Sequence, residues 1–175
     1  MRSLLRSALR QRGRGLVGWR MPRLPAALEP VFQQFTEGPT LVTRAIAGLE
    51  PGLLSRPGPE GWSVRDVVVH LADAELIGAL RFRMVLAEES PPLPVYNPDV
   101  WKRRLHYLWR SPEASLSLFQ QTRFASAEML RQCSASDWER IGVHPERGQL
   151  TLGQLLTSYA DHAMEHVAQI GVLRG

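Results

Sequence analysis

His162 and His166 stand four residues apart in the stretch Ser158-Tyr-Ala-Asp-His-Ala-Met-Glu-His-Val-Ala-Gln169. On a helix that spacing points two imidazoles the same way, one turn apart, where both can grip a single metal ion. A third histidine, His70, lies in another segment of helical periodicity, and antiparallel packing of the two helices would bring its ring to the same place. Three protein ligands leave a coordination position open to water or substrate, which is the pattern of a catalytic site rather than a closed structural one. A single inward histidine is more often a hydrogen-bonded core residue than a ligand. Three buried together are harder to satisfy one by one, and a shared cation satisfies all three. Spacing alone leaves both readings open. Imidazole suits zinc, nickel, copper or iron, so ligand type does not choose among them.

The elements that must position these rings are helices. Ser63-Val-Arg-Asp66 reads as a capping box, with the serine oxygen on an orphan backbone N–H and the acid at the positive helix end. Val67, His70, Ala74 and Ile77 follow at helical steps, which places His70 on the inward stripe. Thr151-Leu-Gly-Gln154 is a second capping box, followed by Leu155, Tyr159, His162, His166 and Ile170 in the same periodicity. Ser111-Pro112-Glu113 starts another helix, leading into Leu116, Phe119, Gln120, Phe124 and Leu130. An earlier helix is predicted over Leu41 to Leu49, starting near Pro39 and stopped by Pro51-Gly52, with a turn or short helix over residues 26 to 37. The connectors Ser55–Gly61 and Ser90–Pro98 are too rich in proline and glycine to be helical throughout. With Asp99 to Arg110, the second makes a long crossover between helices two and three, in which Trp101 and Trp109 are placed to pack as a lid. The expected fold is all-α, a single four-helix bundle without internal repeat.

Composition limits the functions open to such a bundle. The chain of 175 residues carries 21 basic and 17 acidic side chains, a formal net charge of +4. Six of the arginines, Arg2, Arg6, Arg10, Arg12, Arg14 and Arg20, fall within residues 1–20, where there is no acid. The remaining 15 basic residues face all 17 acids, a net of −2, so residues 21–175 have no electrostatic footprint for nucleic acid. Residues 1–20 are expected to be a disordered basic leader or to precede the true start at Met21, an amphipathic targeting segment being the alternative. No apolar run approaches the ~20 residues of a membrane span. Cys133 is the only cysteine, so no internal disulfide forms, and a reducing, cytoplasmic setting is the expectation.

Three stretches together resemble the DinB/YfiT-like superfamily: Gly61-Trp-Ser-Val-Arg-Asp-Val-Val-Val-His-Leu-Ala-Asp73, Leu150-Thr-Leu-Gly-Gln-Leu-Leu156 and Asp161-His-Ala-Met-Glu-His-Val-Ala-Gln-Ile170. The likeness runs from about residue 38 to 173, in matching order. It implies a four-helix bundle of up-down-down-up path and a divalent metal, zinc or nickel being expected, held by His70, His162 and His166. None of these three is replaced here.

Helix geometry also offers residues that could orient a ring or a bound water: Asp73 one turn after His70, Tyr159 one turn before His162, and Glu165 and Gln169 each three residues from a ligand. For Asp73 and Glu165 the plainer reading is a solvated or ion-paired carboxylate, and for Tyr159 a core residue. His144, in the loop before the last helix, could approach the cavity mouth but is more simply a loop histidine, and His106 has no supporting pattern. An open metal site could activate water, making a hydrolase, or a low-molecular-weight thiol, making an S-transferase like the thiol-dependent enzymes that resemble this family. Either acts on a small-molecule substrate. The alternative is a non-catalytic module that binds metal or a small ligand, and pairing with a second copy through an exposed helix face is a further expectation.

Overall fold

Ser63 and Asp66 close the capping box in both directions, Ser63 Oγ accepting from the Asp66 N–H at 3.2 Å and an Asp66 oxygen accepting from the Ser63 N–H at 2.9 Å. The computed structural model describes residues 24–174, so the leader expected over residues 1–20 lies outside the described residues. In chain order the helices are α1 (Glu29–Ile46), α2 (Pro51–Leu54), α3 (Val64–Ala87), α4 (Pro98–Arg104), α5 (Pro112–Leu130) and α6 (Leu152–Arg174). A hairpin of β1 (Ile141–His144) and β2 (Gly148–Thr151) precedes α6. The four long helices α1, α3, α5 and α6 form the bundle.

Its path follows from pairs of contacts along each interface. Gln34 reaches Asp161 and Arg174 reaches the Ala45 carbonyl, so α1 and α6 run parallel. Arg65 reaches the Arg110 carbonyl just before α5, and Glu75 meets Arg123 further along, so α3 and α5 run parallel. His70 meets His162 while Arg81 meets Tyr159, which makes α3 and α6 antiparallel. The order is up-down-down-up. The crossover from α3 to α5, residues 88–111, holds α4 and a 3-10 turn at Tyr107–Trp109. Trp101 stacks on Tyr96 with ring centroids 4.3 Å apart, whereas Trp109 is exposed.

Two apolar clusters fill the bundle. One, at the hairpin end, includes Phe32, Phe35, Phe82, Val85, Leu130 and Leu155. The other includes Val42, Val67, Leu71, Phe119, Ala163 and Ile170. Between them, in every one of the four helices, falls a buried polar junction. Arg123, 1% exposed, pairs with Glu75 at 2.5 Å, donates to the Tyr159 carbonyl at 3.0 Å, and lies across the rings of Phe35 and Phe119. Burial pushes the Glu75 carboxyl above its ordinary value, against the pull of the guanidinium.

This junction corrects the predicted first helix. The sequence predicts a start near Pro39, but α1 begins ten residues before that proline and runs through it. A proline cannot donate to the carbonyl four residues back, here Phe35. Arg123 Nη1 supplies that missing donor at 3.3 Å. Gly38 makes room, since a Cβ there would lie 2.6 Å from the same nitrogen. The helix then ends at Ile46, before the predicted Leu49, and Pro51 begins α2 instead of only stopping α1, having the first-turn position that proline tolerates. The stripe predicted on α5 is corrected too: Phe124 is exposed and Arg123 takes the interior place.

The hairpin is a second departure from an all-helical body. Strands of four residues leave too little alternation to register. Gly148, at φ +72°, closes the three-residue loop, and the His144 ring accepts the N–H groups of Glu146 and Arg147. His144 is thus a turn cap rather than a group at the cavity mouth. Arg140 beside β1 donates to the Val85 and Glu88 carbonyls at the end of α3, where a cation also suits the helix dipole.

Removing one member of the buried pair leaves the other charged and unpaired. Glu75→Gln is expected to cost about 3–5 kcal/mol in urea denaturation. Glu75→Gln combined with Arg123→Met should lose less than the sum of the single changes; simple additivity would contradict the coupling.

Candidate metal centre

α3 is buried almost all round over its first three turns, from Val64 to Glu75, which sets the His70 ring inside the protein. Antiparallel to it, α6 starts from its own capping box, Thr151 with Gln154, which fixes where His162 and His166 fall along the interface. The three rings meet. Nε2 of His162 lies 3.2 Å from Nε2 of His70 and 3.0 Å from Nε2 of His166, and the ring atoms offered by all three lie within 4.8 Å of one another. Nitrogen ligands at about 2.0–2.1 Å from a tetrahedral ion stand about 3.3 Å apart, so little movement separates these spacings from a coordination sphere.

The protons are the deciding detail. His166 Nδ1 is 2.7 Å from Gln169 Oε1, an acceptor, so Nδ1 carries the proton and Nε2 turns its lone pair to the centre. Burial lowers His70 to about 4, with the His166 charge adding to it and Asp73 opposing. It lowers His162 to about 2, with His166, His70 and Arg123 adding to it. His166 is also lowered by burial, against the Gln169 hydrogen bond and the Glu165 charge. At neutral pH all three rings are neutral, and two contacts among three Nε2 atoms cannot satisfy every lone pair. A cation can. This donor set fits a divalent ion.

Above the rings opens a cavity of ≈ 410 Å³, walled by Trp62, Tyr96 and Pro98 and bounded by Gln169. Trp62 meets His70 edge to face at 5.5 Å, and its Nε1 donates to Asp99 at 3.2 Å. Lys102 lies over the Trp62 ring, donates to the Gly61 carbonyl and pairs with Asp66 at 3.4 Å. Sequence reasoning missed Trp62 and Tyr96 as wall residues, because connectors carry no periodicity; the crossover's aromatic content was the available signal for Tyr96, and the motif that begins at Gly61 the signal for Trp62.

Of the residues considered as supports, Gln169 alone touches a histidine of the cluster by hydrogen bond. Asp73 is turned instead to Arg110, at 2.6 Å, and the nearby carboxylate, after burial, helps to push the Tyr107 hydroxyl up. His70 Nδ1 is left buried with no hydrogen-bond partner among the described residues. Glu165 is exposed and acts on His166 only through its charge. Tyr159 is a core residue whose hydroxyl accepts from Arg81 at 3.1 Å. His106 is exposed, at a left-handed backbone position. Cys133 is buried, which pushes its thiol up to about 11 and leaves it a packing residue rather than a nucleophile.

The sequence model of the DinB superfamily matches residues 34–170, most of the chain. The chain belongs to this superfamily. Among its DinB-superfamily relatives is "Putative metal-dependent hydrolase YfiT" of Bacillus subtilis, 30% identical over 141 residues and 79% of each chain. A second relative bearing that description, from Oceanobacillus iheyensis, is 35% identical over 111 residues; the match spans 63% of its length and 63% of this chain. The solved structure of Bacillus subtilis YfiT, described as an unusual four-helix bundle, superposes with a TM-score of 0.80 at 28% identity, covering 86% of this chain and 87% of that one. A mycothiol-dependent maleylpyruvate isomerase superposes at 0.69 with 15% identity, covering 85% of this chain and 61% of its own, a likeness of fold. Among the described residues of this DinB-superfamily chain, no helix is long and apolar enough to cross a membrane.

The neutral rings give stability a definite pH dependence. Unfolded histidines titrate near 6.5, whereas these stay unprotonated to lower pH, so below that value the unfolded chain binds more protons. Stability of the chelator-treated protein should hold above pH ~6.5 and fall as pH drops toward 4, by up to about 1.4 kcal/mol per pH unit for each such ring. His162→Gln removes one ring from the sum, so its acid limb in urea denaturation should be shallower. Equal slopes would contradict the assignment.

Proposed function

We propose that His70, His162 and His166 hold one divalent metal ion, zinc or nickel, and that the chain is a metal-dependent enzyme acting on a small molecule. The convergence of three neutral Nε2 atoms beneath an open cavity carries this reading. The names of the relatives support hydrolysis as the reaction. A divalent ion in that position supplies Lewis acidity, enough to bring the pKa of water or of a thiol toward neutrality.

The protein residues do the rest. Burial keeps the ligand nitrogens unprotonated at neutral pH, so protons do not compete for them. Gln169 holds the His166 ring by its Nδ1–H, and loss of such a support typically weakens metal binding about 10–100-fold. Trp62, Tyr96 and Pro98 form an apolar wall that limits water and presses a substrate against the rings.

One observation favours a second chemistry on the same site. No carboxylate lines this cavity among the described residues, so a general base for water is not at hand. A thiol, with an ordinary pKa of about 8.5, is far more acidic than water and on the ion would release its proton to solvent without such a base; the fold neighbour named for mycothiol supports a low-molecular-weight thiol as co-substrate.

Protein purified without an affinity tag should carry about one divalent ion per chain by elemental analysis, and His162→Ala should carry none above background. Gln169→Ala should need about 10–100-fold more metal to fill. Turnover of activated esters or amides without added thiol would identify the hydrolase, and turnover only with thiol the S-transferase. Equal metal in wild type and His162→Ala would overturn the ligand set, and metal without turnover across such a panel would make the chain a binding module.

A further inference from the structure

Beside the cavity over the histidines, along α6, lies a smaller cleft of ≈ 160 Å³, bounded by Arg81, Tyr96, Arg147, Ser158, Tyr159 and His162. Tyr96 and His162 belong to both spaces. Ser158 and Tyr159 precede His162 by four and three residues, so this cleft lies about one helical turn, roughly 5 Å, from the metal ligands.

Its polar groups are set to donate. Arg81 is half-buried and anchored: Nε and Nη2 reach the Pro94 carbonyl and Nη1 the Tyr159 hydroxyl. Of its five N–H groups, one on each terminal nitrogen remains free. Arg147, on the hairpin loop, reaches Ser158 Oγ with both terminal nitrogens, at 3.2 and 3.3 Å, and Ser158 passes its own proton to the Gln154 carbonyl. The Tyr159 hydroxyl accepts from Arg81, while its proton has no acceptor among the described residues. Burial pushes that hydroxyl up to about 12, so it remains a donor. Neither arginine has a carboxylate within 4.0 Å among the described residues, unlike Arg110, Arg123 and Arg140. After burial, the Arg81 charge is the next cause that holds His144 below its ordinary value.

We propose that this cleft binds a carboxylate of the substrate or co-substrate, with Arg81 and Arg147 as its charge partners and Tyr159 as a neutral donor. The rest of the ligand then reaches one turn along α6 to the three histidines. A planar carboxylate can accept from the N–H groups that remain free on the two terminal nitrogens of an anchored guanidinium, and a cleft of this volume suits a small group. This assignment rests on the proposed function in taking the histidine centre as the place of reaction, while the binding of the anion does not itself need the ion.

Calorimetric titration of the metal-loaded protein with succinate, its uncharged analogue succinamide and inorganic phosphate tests the assignment. Succinate should bind at least tenfold more tightly than either of the others. Arg147→Met, on an exposed loop, should weaken succinate about tenfold with metal content and Tm unchanged, and Arg81→Met should weaken it at least as much. His162→Ala separates this cleft from the metal reading: succinate binding that survives there and still depends on Arg147 supports the subsite even if no metal is found. The proposal is overturned by no succinate binding at millimolar concentration, by equal binding of succinamide, by tighter binding of phosphate, or by affinity unchanged in both arginine variants. Succinate binding lost in His162→Ala but intact in Arg147→Met would also overturn it, placing the carboxylate on the metal instead.

Discussion

Three imidazole nitrogens within 4.8 Å of one another, in surroundings that resist their protonation, set the physical problem that this molecule solves. Neutral rings can share hydrogens pairwise, but wherever all three Nε2 atoms present lone pairs to one another they repel unless something positive lies between them. Protonation is the usual relief for crowded imidazoles, and burial opposes it. A divalent ion is the relief that the ligand types, the spacings and the open cavity all accommodate.

The bundle supplies what that centre requires. His70 comes from a helix surrounded by protein, and the two histidines of α6 come from a helix whose start is fixed by its own capping box. Antiparallel packing of α3 on α6 brings positions 70, 162 and 166 level, and the register is held one turn away by Arg123, which ties Glu75 of α3 to the Tyr159 carbonyl of α6. The same guanidinium repairs the carbonyl that Pro39 leaves unpaired in α1. One buried side chain thus touches all four long helices, between two apolar clusters that would by themselves leave the helices freer to slide.

How far these features could be read beforehand depended on how local they are. The two histidine helices, their capping boxes and the inward stripe were legible because each is written within about one turn of chain, at steps that only a helix uses. The first helix was misplaced because its continuity through Pro39 relies on a donor from α5, a tertiary contact without local signature. Phe124 and Arg123 were exchanged for a related reason: polarity alone puts the phenylalanine inside, and only Glu75, far away in sequence, makes the arginine the better interior residue. The hairpin was too short to show alternation. At the site, Gln169 was reachable by counting from His166, whereas Trp62 and Tyr96 enter from connectors whose course no periodicity describes.

The central claim is that one ion is shared by three particular nitrogens, and anomalous-scattering crystallography of the metal-loaded, untagged protein addresses it most directly. The anomalous peak should sit among Nε2 of His70, His162 and His166, at about 2.0–2.1 Å from each if the ion is zinc. A peak elsewhere on the molecule, or a bound ion from which any of these three rings is turned away, would contradict it.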